Sequence, residues 1–169
     1  DAGEGETIPT LEEAACLIKG RAQINIDLKE AGYEDEVLEV LSKHGILGDV
    51  LISSVIPASL RKLKRLAPEV AVGLSYPPAK LYLMPFVRLT PWLMRLTMPW
   101  RIQGLIAAAS ADAAMVRYQL ITPQLVIAAH RFGYRVFAWT VDDLLVMRRL
   151  EKMGIDGVTS NRPDLLANL

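Results

Sequence analysis

Short runs of β-branched and aliphatic residues alternate along the chain with longer stretches in which apolar residues recur at helical spacing. The runs predict six β-strands, over residues 23–29, 49–55, 69–76, 114–119, 135–142 and 157–161. The longer stretches predict helices over residues 11–19, 34–44, 57–67, 122–132 and 143–153. This alternation is typical of right-handed βαβ units and of an α/β fold with a parallel sheet. A closed (β/α)8 barrel needs eight strands, so six strands fit either an open sheet or a barrel without its beginning.

Three of the predicted helices end in one pattern, in which a basic residue is followed by glycine and then by an apolar residue. The glycines are Gly45, Gly133 and Gly154. Glycine readily adopts the left-handed conformation that stops a helix, and a cation suits the negative end of the helix dipole. The pattern therefore supports the predicted helix ends.

Size and composition indicate one folded domain over residues 1–169. The chain is 51% apolar, which is enough for a core that buries roughly 70% of the surface of the unfolded chain. Its 19 basic residues balance 19 acidic ones, so it lacks the positive field of a nucleic-acid-binding protein, and no nucleic-acid partner is expected. One cysteine and two histidines exclude an internal disulfide and a structural zinc site. The chain begins at Asp1 without a signal segment, so we expect it to be part of a longer product. Its location is left unknown, with a cytoplasmic or membrane-associated one favoured.

Residues 77–111 interrupt the alternation and are interpreted as an inserted helical, amphipathic segment. Residues 70–111 contain no acidic side chain, and the basic residues among their aromatic ones are Lys80, Arg88, Arg95 and Arg101. Five prolines divide the segment, so it has no apolar run long enough to span a bilayer. The composition suits peripheral contact with an anionic membrane surface, and it equally suits a helical lid packed on the rim of the sheet.

The strand predicted over residues 23–29 carries the first candidate for chemistry. Its strict alternation places Asn25, Asp27 and Lys29 on one face and three aliphatic residues on the other. The polar face points into a sheet or barrel interior near the carboxyl end of a parallel strand, where such folds place their sites. Asp27 can bind a divalent cation while the Lys29 ammonium attracts an anion. The same spacing fits a structural ion pair at a strand end.

Four further side chains each have a structural and a functional interpretation, and a fifth, Cys16, has a structural one. Trp139 is either the wall of a ligand pocket or part of the core, and Asn161 either offers its amide at the mouth of the last strand or caps the following turn. His44 and His130 lie at predicted helix ends, opposite the carboxyl ends of the strands, which favours helix-end roles over proton transfer. Cys16 is predicted to be a packed thiol.

Several segments are similar, in their order and spacing, to segments of one enzyme family. Residues 5–14 resemble the segment before that family's third strand, and residues 25–29 resemble its metal-ligand strand. Residues 49–54 resemble the fourth strand, and residues 135–142 and 154–163 resemble the last two strands. The family is that of the glycerophosphodiester phosphodiesterases, and the resemblance covers nearly the whole chain except residues 77–111.

The resemblance implies a TIM-type (β/α)8 barrel that has six parallel strands and lacks its first two. It also implies hydrolysis of glycerophosphodiesters to sn-glycerol 3-phosphate and an alcohol, in glycerophospholipid degradation, with Mg²⁺ or Ca²⁺ as the divalent cation. Asp27 matches a metal-ligand glutamate of the family, and Lys29 and Trp139 match residues that bind the substrate.

No segment of the chain resembles the first two strands, which in that family supply the catalytic histidine pair and the other acidic metal ligands. We therefore expect the 169 residues alone to be inactive and poorly stable. Two alternatives remain open. The protein is a lysophospholipase D-like phosphodiesterase if residues 77–111 admit an acyl chain, or a non-catalytic barrel remnant that binds a phosphorylated ligand through Lys29.

Overall fold

The computed structural model describes Gly5, residues 7–78 and residues 91–166. Residues 79–90, which belong to the predicted insertion, lie outside the described part. A sheet of six parallel strands forms the centre, and the prediction of six strands is confirmed. The strands are β1 (Ile24–Leu28), β2 (Val50–Ser54), β3 (Ala71–Tyr76), β4 (Ala113–Arg117), β5 (Arg135–Trp139) and β6 (Gly157–Val158).

Helices connect the strands along the chain. They are α1 (Leu11–Ile18), α2 (Glu34–Lys43), α3 (Pro57–Leu66), α4 (Pro91–Ala109), α5 (Pro123–Arg131), α6 (Leu144–Lys152) and α7 (Pro163–Leu166). Two short 3₁₀ turns, Leu47–Asp49 and Tyr118–Leu120, adjoin β2 and β4. Helix α4 occupies part of the segment predicted as an insertion and contains Pro99 in its interior.

The order of the strands distinguishes between the two architectures that periodicity left open. Each strand pairs with the next one in sequence, from β1 to β6, and all pairs are parallel. An open doubly wound sheet reverses its strand order at a switch point, whereas a barrel winds in one direction. The six strands therefore form a curled half-barrel of the TIM type, with the helices on its outer side.

The ends of the helices follow from local sequence. The side chains of Thr122 and Asp143 each accept a hydrogen bond from a backbone N–H in the first turn of α5 and α6. Gly45, Gly133 and Gly154 follow α2, α5 and α6 with φ angles of 64°, 77° and 80°, the left-handed conformation that the basic–glycine pattern predicted.

The hydrophobic core lies between the sheet and the outer helices. Every second strand residue faces the helices, as shown by Ile52 and Val136, which are fully buried. The helices contribute fully buried side chains to the same layer, which include Leu41, Leu60, Leu63, Ile106, Leu125 and Leu150. The other strand residues point to the concave side, and this is the side on which the candidate site lies.

On the concave side, small residues make room for large ones. A Cβ added to Gly157 would lie 2.9 Å from the ring of Phe137, the residue beside it on β5. Because glycine has no side chain, the Phe137 ring can lie over β6.

Candidate functional site

The carboxyl end of β1 places a carboxylate and an ammonium together on the concave side. Asp27 alternates with the buried Leu28, so its side chain points away from the helices. The Lys29 ammonium contacts the Asp27 carboxylate, and the Ser53 hydroxyl on β2 donates a hydrogen bond to Asp27 Oδ1 at 3.3 Å. The Lys29 side chain is 79% exposed and the Asp27 side chain 39% exposed, so both are open to a solute.

The loop after β1 is held by a buried glutamate that the sequence analysis did not single out. Glu34, the first residue of α2, accepts hydrogen bonds from the Gly32 N–H at 3.2 and 3.3 Å and from Lys62 Nζ at 3.1 Å. The Lys62 ammonium also contacts the Asp35 carboxylate. The loop between β1 and α2, which begins at Lys29, is therefore tied to α3.

Polar groups around Glu34 hold the pKa of its carboxyl at about 2. The neighbouring Ser59 hydroxyl lowers this pKa the most, burial raises it, and the Lys62 ammonium and the Gly32 N–H lower it further. The Ser59 hydroxyl is close enough to influence the carboxyl but has no hydrogen-bond partner among the described residues. Glu34 therefore remains ionised although only 2% of its surface is exposed.

Trp139 lies at the carboxyl end of β5, four strands away from Asp27 in the sheet. Its indole N–H donates a hydrogen bond to the Met115 carbonyl at 2.8 Å, which fixes the orientation of the ring. The side chain is half-buried, so one part of the indole is open to the concave side. Trp139 thus packs on β4, and its role as the wall of a ligand pocket stays a prediction.

Asn161 is engaged within the protein. Its backbone N–H donates to Asp142 Oδ1 at 2.7 Å and its side-chain amide donates to Asp142 Oδ2 at 2.9 Å, while the Ser160 hydroxyl donates to Oδ1 at 3.0 Å. These bonds, with the Asn161 side chain contributing most, lower the pKa of the Asp142 carboxyl. Asn161 therefore closes the turn after β6.

Both histidines lie at the ends of helices, as the sequence indicated. His130, in the last turn of α5, has Nε2 2.8 Å from Asp156 Oδ2, and Asp156 immediately precedes β6. His44 follows α2, and its Nδ1 lies 3.6 Å from Cys16 Sγ. The prediction of a packed thiol is wrong, because Cys16 is exposed and its neighbour Ala15 is the buried residue of that helix.

The acidic and histidine side chains of the described residues do not assemble a metal centre on their own. In residues 7–78 and 91–166, no three Asp, Glu, His or Cys side chains lie close enough together to hold one ion. Ca²⁺ takes six to eight oxygen ligands, and Mg²⁺ takes six. Asp27 offers one carboxylate, and the neutral Ser53 hydroxyl beside it is a weaker metal ligand. These two residues therefore do not form a complete cation site.

Comparison with known proteins gives one consistent family. The model of the glycerophosphoryl diester phosphodiesterase family matches residues 4–165. A glycerophosphodiester phosphodiesterase of Caldanaerobacter subterraneus subsp. tengcongensis is 33% identical over 98% of this chain and 63% of its own length.

Two solved structures resemble the fold. The crystal structure of a protein from Galdieria sulphuraria matches 99% of this chain with a TM-score of 0.78 at 24% identity, over 66% of its own chain. The structure of an Oleispira antarctica phosphodiesterase in complex with the product sn-glycerol 3-phosphate matches 93% of this chain with a TM-score of 0.70 at 28% identity, over 59% of its own chain. The chain spans less than two thirds of the length of each of these three relatives.

Proposed function

Because the chain belongs to the glycerophosphoryl diester phosphodiesterase family, we propose that its concave side binds glycerophosphodiesters for hydrolysis to sn-glycerol 3-phosphate and an alcohol. One observation carries the proposal. The Asp27 carboxylate and the Lys29 ammonium lie side by side at the carboxyl end of β1, facing the concave side of a curled parallel sheet. Sites of such folds lie at the carboxyl ends of their strands.

Lys29 is the group that we assign to the phosphodiester. Its ammonium is the cation of the Asp27–Lys29 pair and is largely exposed, so an anionic oxygen can reach it without displacing buried groups. A charge-assisted hydrogen bond from an ammonium to a phosphate oxygen is about twice as strong as a neutral one. The Oleispira antarctica structure, with its bound sn-glycerol 3-phosphate, supports a glycerol phosphate as the ligand.

Trp139 is proposed to border the substrate from the other side of the opening. Its orientation is set by the bond to the Met115 carbonyl, so the indole presents a fixed apolar surface. A rigid aromatic wall suits the carbon skeleton of a glycerol moiety, whereas Lys29 suits its phosphate.

A divalent cation, Mg²⁺ or Ca²⁺, is proposed as the cofactor of the reaction, with Asp27 as one of its ligands. When bound, such an ion neutralises charge on the phosphoryl oxygens. The described residues complete no such site, so further ligands from outside this set are required.

We also propose that the 169-residue chain binds ligand but does not hydrolyse it. Cleavage of the ester bond needs a proton for the leaving alkoxide. Both histidines of the chain lie at helix ends remote from the carboxyl end of β1, and each is paired with a neighbouring side chain there. Neither histidine of this chain therefore lies next to Lys29, where it could transfer a proton to the leaving group.

The test uses sn-glycerol 3-phosphate as the probe, with binding to the 169-residue chain followed by calorimetry. We expect Lys29→Gln to weaken binding by about tenfold or more, since an interaction with a charged group is lost. The control is Lys152→Gln, which removes an exposed lysine at the end of α6 and should leave the affinity unchanged. Equal affinities of the wild type and Lys29→Gln would exclude Lys29 from the site.

Turnover is measured separately, with glycerophosphocholine and either Mg²⁺ or Ca²⁺. We expect no release of choline above that of a protein-free sample. Metal-dependent release of choline by the purified chain would contradict the proposed inactivity. The assignment of Lys29 would still be decided by the binding experiment.

A further inference from the structure

Helix α4 has apolar side chains on its packed face and also on part of its exposed surface. One face packs on the protein, where Met98, Ile102 and Ile106 are buried. The other face carries Trp92, Leu96 and Trp100 at spacings of four residues, and these side chains are 65%, 56% and 77% exposed. A group of large exposed apolar side chains on one surface is typical of a site that contacts a protein or a membrane.

The exposed face continues onto the neighbouring helix and forms a groove. Helix α5 adds Ile127, and Phe132 follows the end of this helix; they are 52% and 50% exposed. Together the two helices line a groove of about 940 Å³ that contains none of Asp27, Lys29 or Trp139. We call it the α4–α5 groove. Because it lies on the outer side of the half-barrel, it is separate from the proposed substrate site.

The charges around the α4–α5 groove are positive. Among the described residues that line it, the charged ones are Arg95 and Arg131, and none is acidic. Residues 70–141 contain one acidic residue, Asp112, against seven basic ones. The Asp112 carboxylate is engaged, since Lys64 Nζ lies 2.8 Å from its Oδ2. The groove therefore suits an occupant that is both apolar and anionic.

We propose that the α4–α5 groove is a docking site for the surface of an anionic phospholipid bilayer. Trp92, Trp100 and Phe132 would enter the boundary between headgroups and acyl chains, and Arg95 and Arg131 would contact lipid phosphates. No helix among the described residues has the length and apolar composition of a membrane span. A second copy of the chain is a poorer match, because its own groove would bring the same positive charges into contact.

The first test is co-sedimentation of the chain with vesicles of phosphatidylcholine alone or with about a third phosphatidylserine. We expect binding to the anionic vesicles, weakened by salt, and little binding to the neutral ones. Arg95→Gln should reduce the partition coefficient by about fivefold, since each basic residue near such a surface contributes about 1 kcal/mol. Arg149→Gln, which changes an exposed arginine on α6, is the matched control and should have no effect.

The apolar contribution is tested with Trp100→Ala. Loss of this side chain should reduce partitioning by about tenfold or more. The control is Leu145→Ala, which removes an apolar side chain of similar exposure (75%) from α6 and should not change partitioning. Equal losses for both variants would show that contact is not made through the groove, and the proposal would be wrong.

Quenching of tryptophan fluorescence by brominated lipids gives the depth of insertion. With Trp139→Phe removing the indole on the concave side, Trp92 and Trp100 are the reporters left, and we expect strong quenching in anionic vesicles. Absence of vesicle binding in every lipid mixture would overturn the proposal. A dimer that forms with increasing protein concentration and is lost in Trp100→Ala would also overturn it, because the groove would then be an interface between two copies of the chain.

Discussion

At the scale of single residues, Glu34 shows how a buried charge is kept ionised. Taking a carboxylate out of water is unfavourable unless donors compensate for the lost hydration. Here the Ser59 hydroxyl, the Lys62 ammonium and the Gly32 N–H lower the pKa of the carboxyl to about 2. The groups come from the β1–α2 loop and from α3, so the ionised form of Glu34 ties these segments together.

Glu34 should therefore make the stability of the protein depend on pH. Its pKa rises from about 2 in the folded chain to about 4.5 in the unfolded chain, so ionised Glu34 stabilises the fold fully above pH 4.5. This contribution is lost as the pH falls from 4.5 through 2. We expect Glu34→Gln to lower the free energy of unfolding at pH 7 and to flatten its decline in that pH window. Urea titrations between pH 7 and pH 2.5 measure both effects.

The control for this experiment is Glu36→Gln, which changes an exposed carboxylate in the same helical turn. Its stability should follow the wild-type curve closely across the pH range. If the free energies of unfolding of Glu34→Gln and the wild type instead differ by the same amount at every pH, the folded protein does not hold this carboxyl at a low pKa.

The two acidic residues of the site region differ in how far the sequence predicts them. Asp27 and Lys29 follow from alternation along one strand, because a period of two decides which residues share a face. Glu34 looks like an ordinary acidic residue in the first turn of a helix, which suits the helix dipole. Its burial depends on Ser59 and Lys62, which lie on another helix, and no local pattern shows which surface a helix will meet.

At the scale of elements, two aspartates join strands to helices in the same way at the amino-terminal edge of the sheet. Asp112 precedes β4 and accepts the Val72 N–H of β3 at 2.8 Å, while Lys64 of α3 lies 2.8 Å from the same oxygen. Asp156 precedes β6 and accepts the Val136 N–H of β5 at 2.6 Å, with His130 of α5 beside it. Each carboxylate thus links a strand, the next strand and a helix.

Asp156→Ala should destabilise the protein by about 1–3 kcal/mol, because it leaves the buried Val136 N–H without an acceptor. Asp49 provides the matched control. It holds the equivalent place before β2, but no hydrogen bond of its side chain to another described residue is found. Asp49→Ala should change the free energy of unfolding by no more than about 0.5 kcal/mol. Urea denaturation gives the free energy of unfolding of each variant. Equal decreases for Asp156→Ala and Asp49→Ala would show that the hydrogen bond from the Val136 N–H to Asp156 does not stabilise the fold.

The elements themselves differ in how well local sequence predicts them. Helices α2, α5 and α6 end as the basic–glycine pattern indicates, since that signal is local. Strand β6 covers only Gly157–Val158 where a strand over residues 157–161 was expected. The Asp142 carboxylate binds the backbone and side chain of Asn161, and so replaces the strand by a turn. Such a contact between residues 19 positions apart has no signature in a local window.

At the scale of the whole molecule, the two faces of the sheet are covered very differently. Helices bury the outer face, where Ile52 and Val136 have no exposed surface. On the concave face, Leu51, Phe137 and Trp139 are only partly buried. In a closed barrel the inward side chains fill a packed interior. The hydrophobic periodicity fits an open sheet and a barrel equally well, because pairing between distant segments decides how the strands are arranged. The prediction of a barrel came from the family resemblance.

This asymmetry predicts that the outer layer carries most of the stability, and adjacent residues of β2 provide a direct comparison. Ile52→Ala should cost about 2–5 kcal/mol, because it creates a cavity in a fully buried layer. Leu51→Ala removes a side chain of the same volume from the half-buried concave face, where solvent can fill the space, and should cost about 1–2 kcal/mol. Urea denaturation at two protein concentrations gives both values. Equal costs for the two variants would mean that the concave face is packed as tightly as the outer one, and a dependence on concentration would assign that packing to a second copy of the chain.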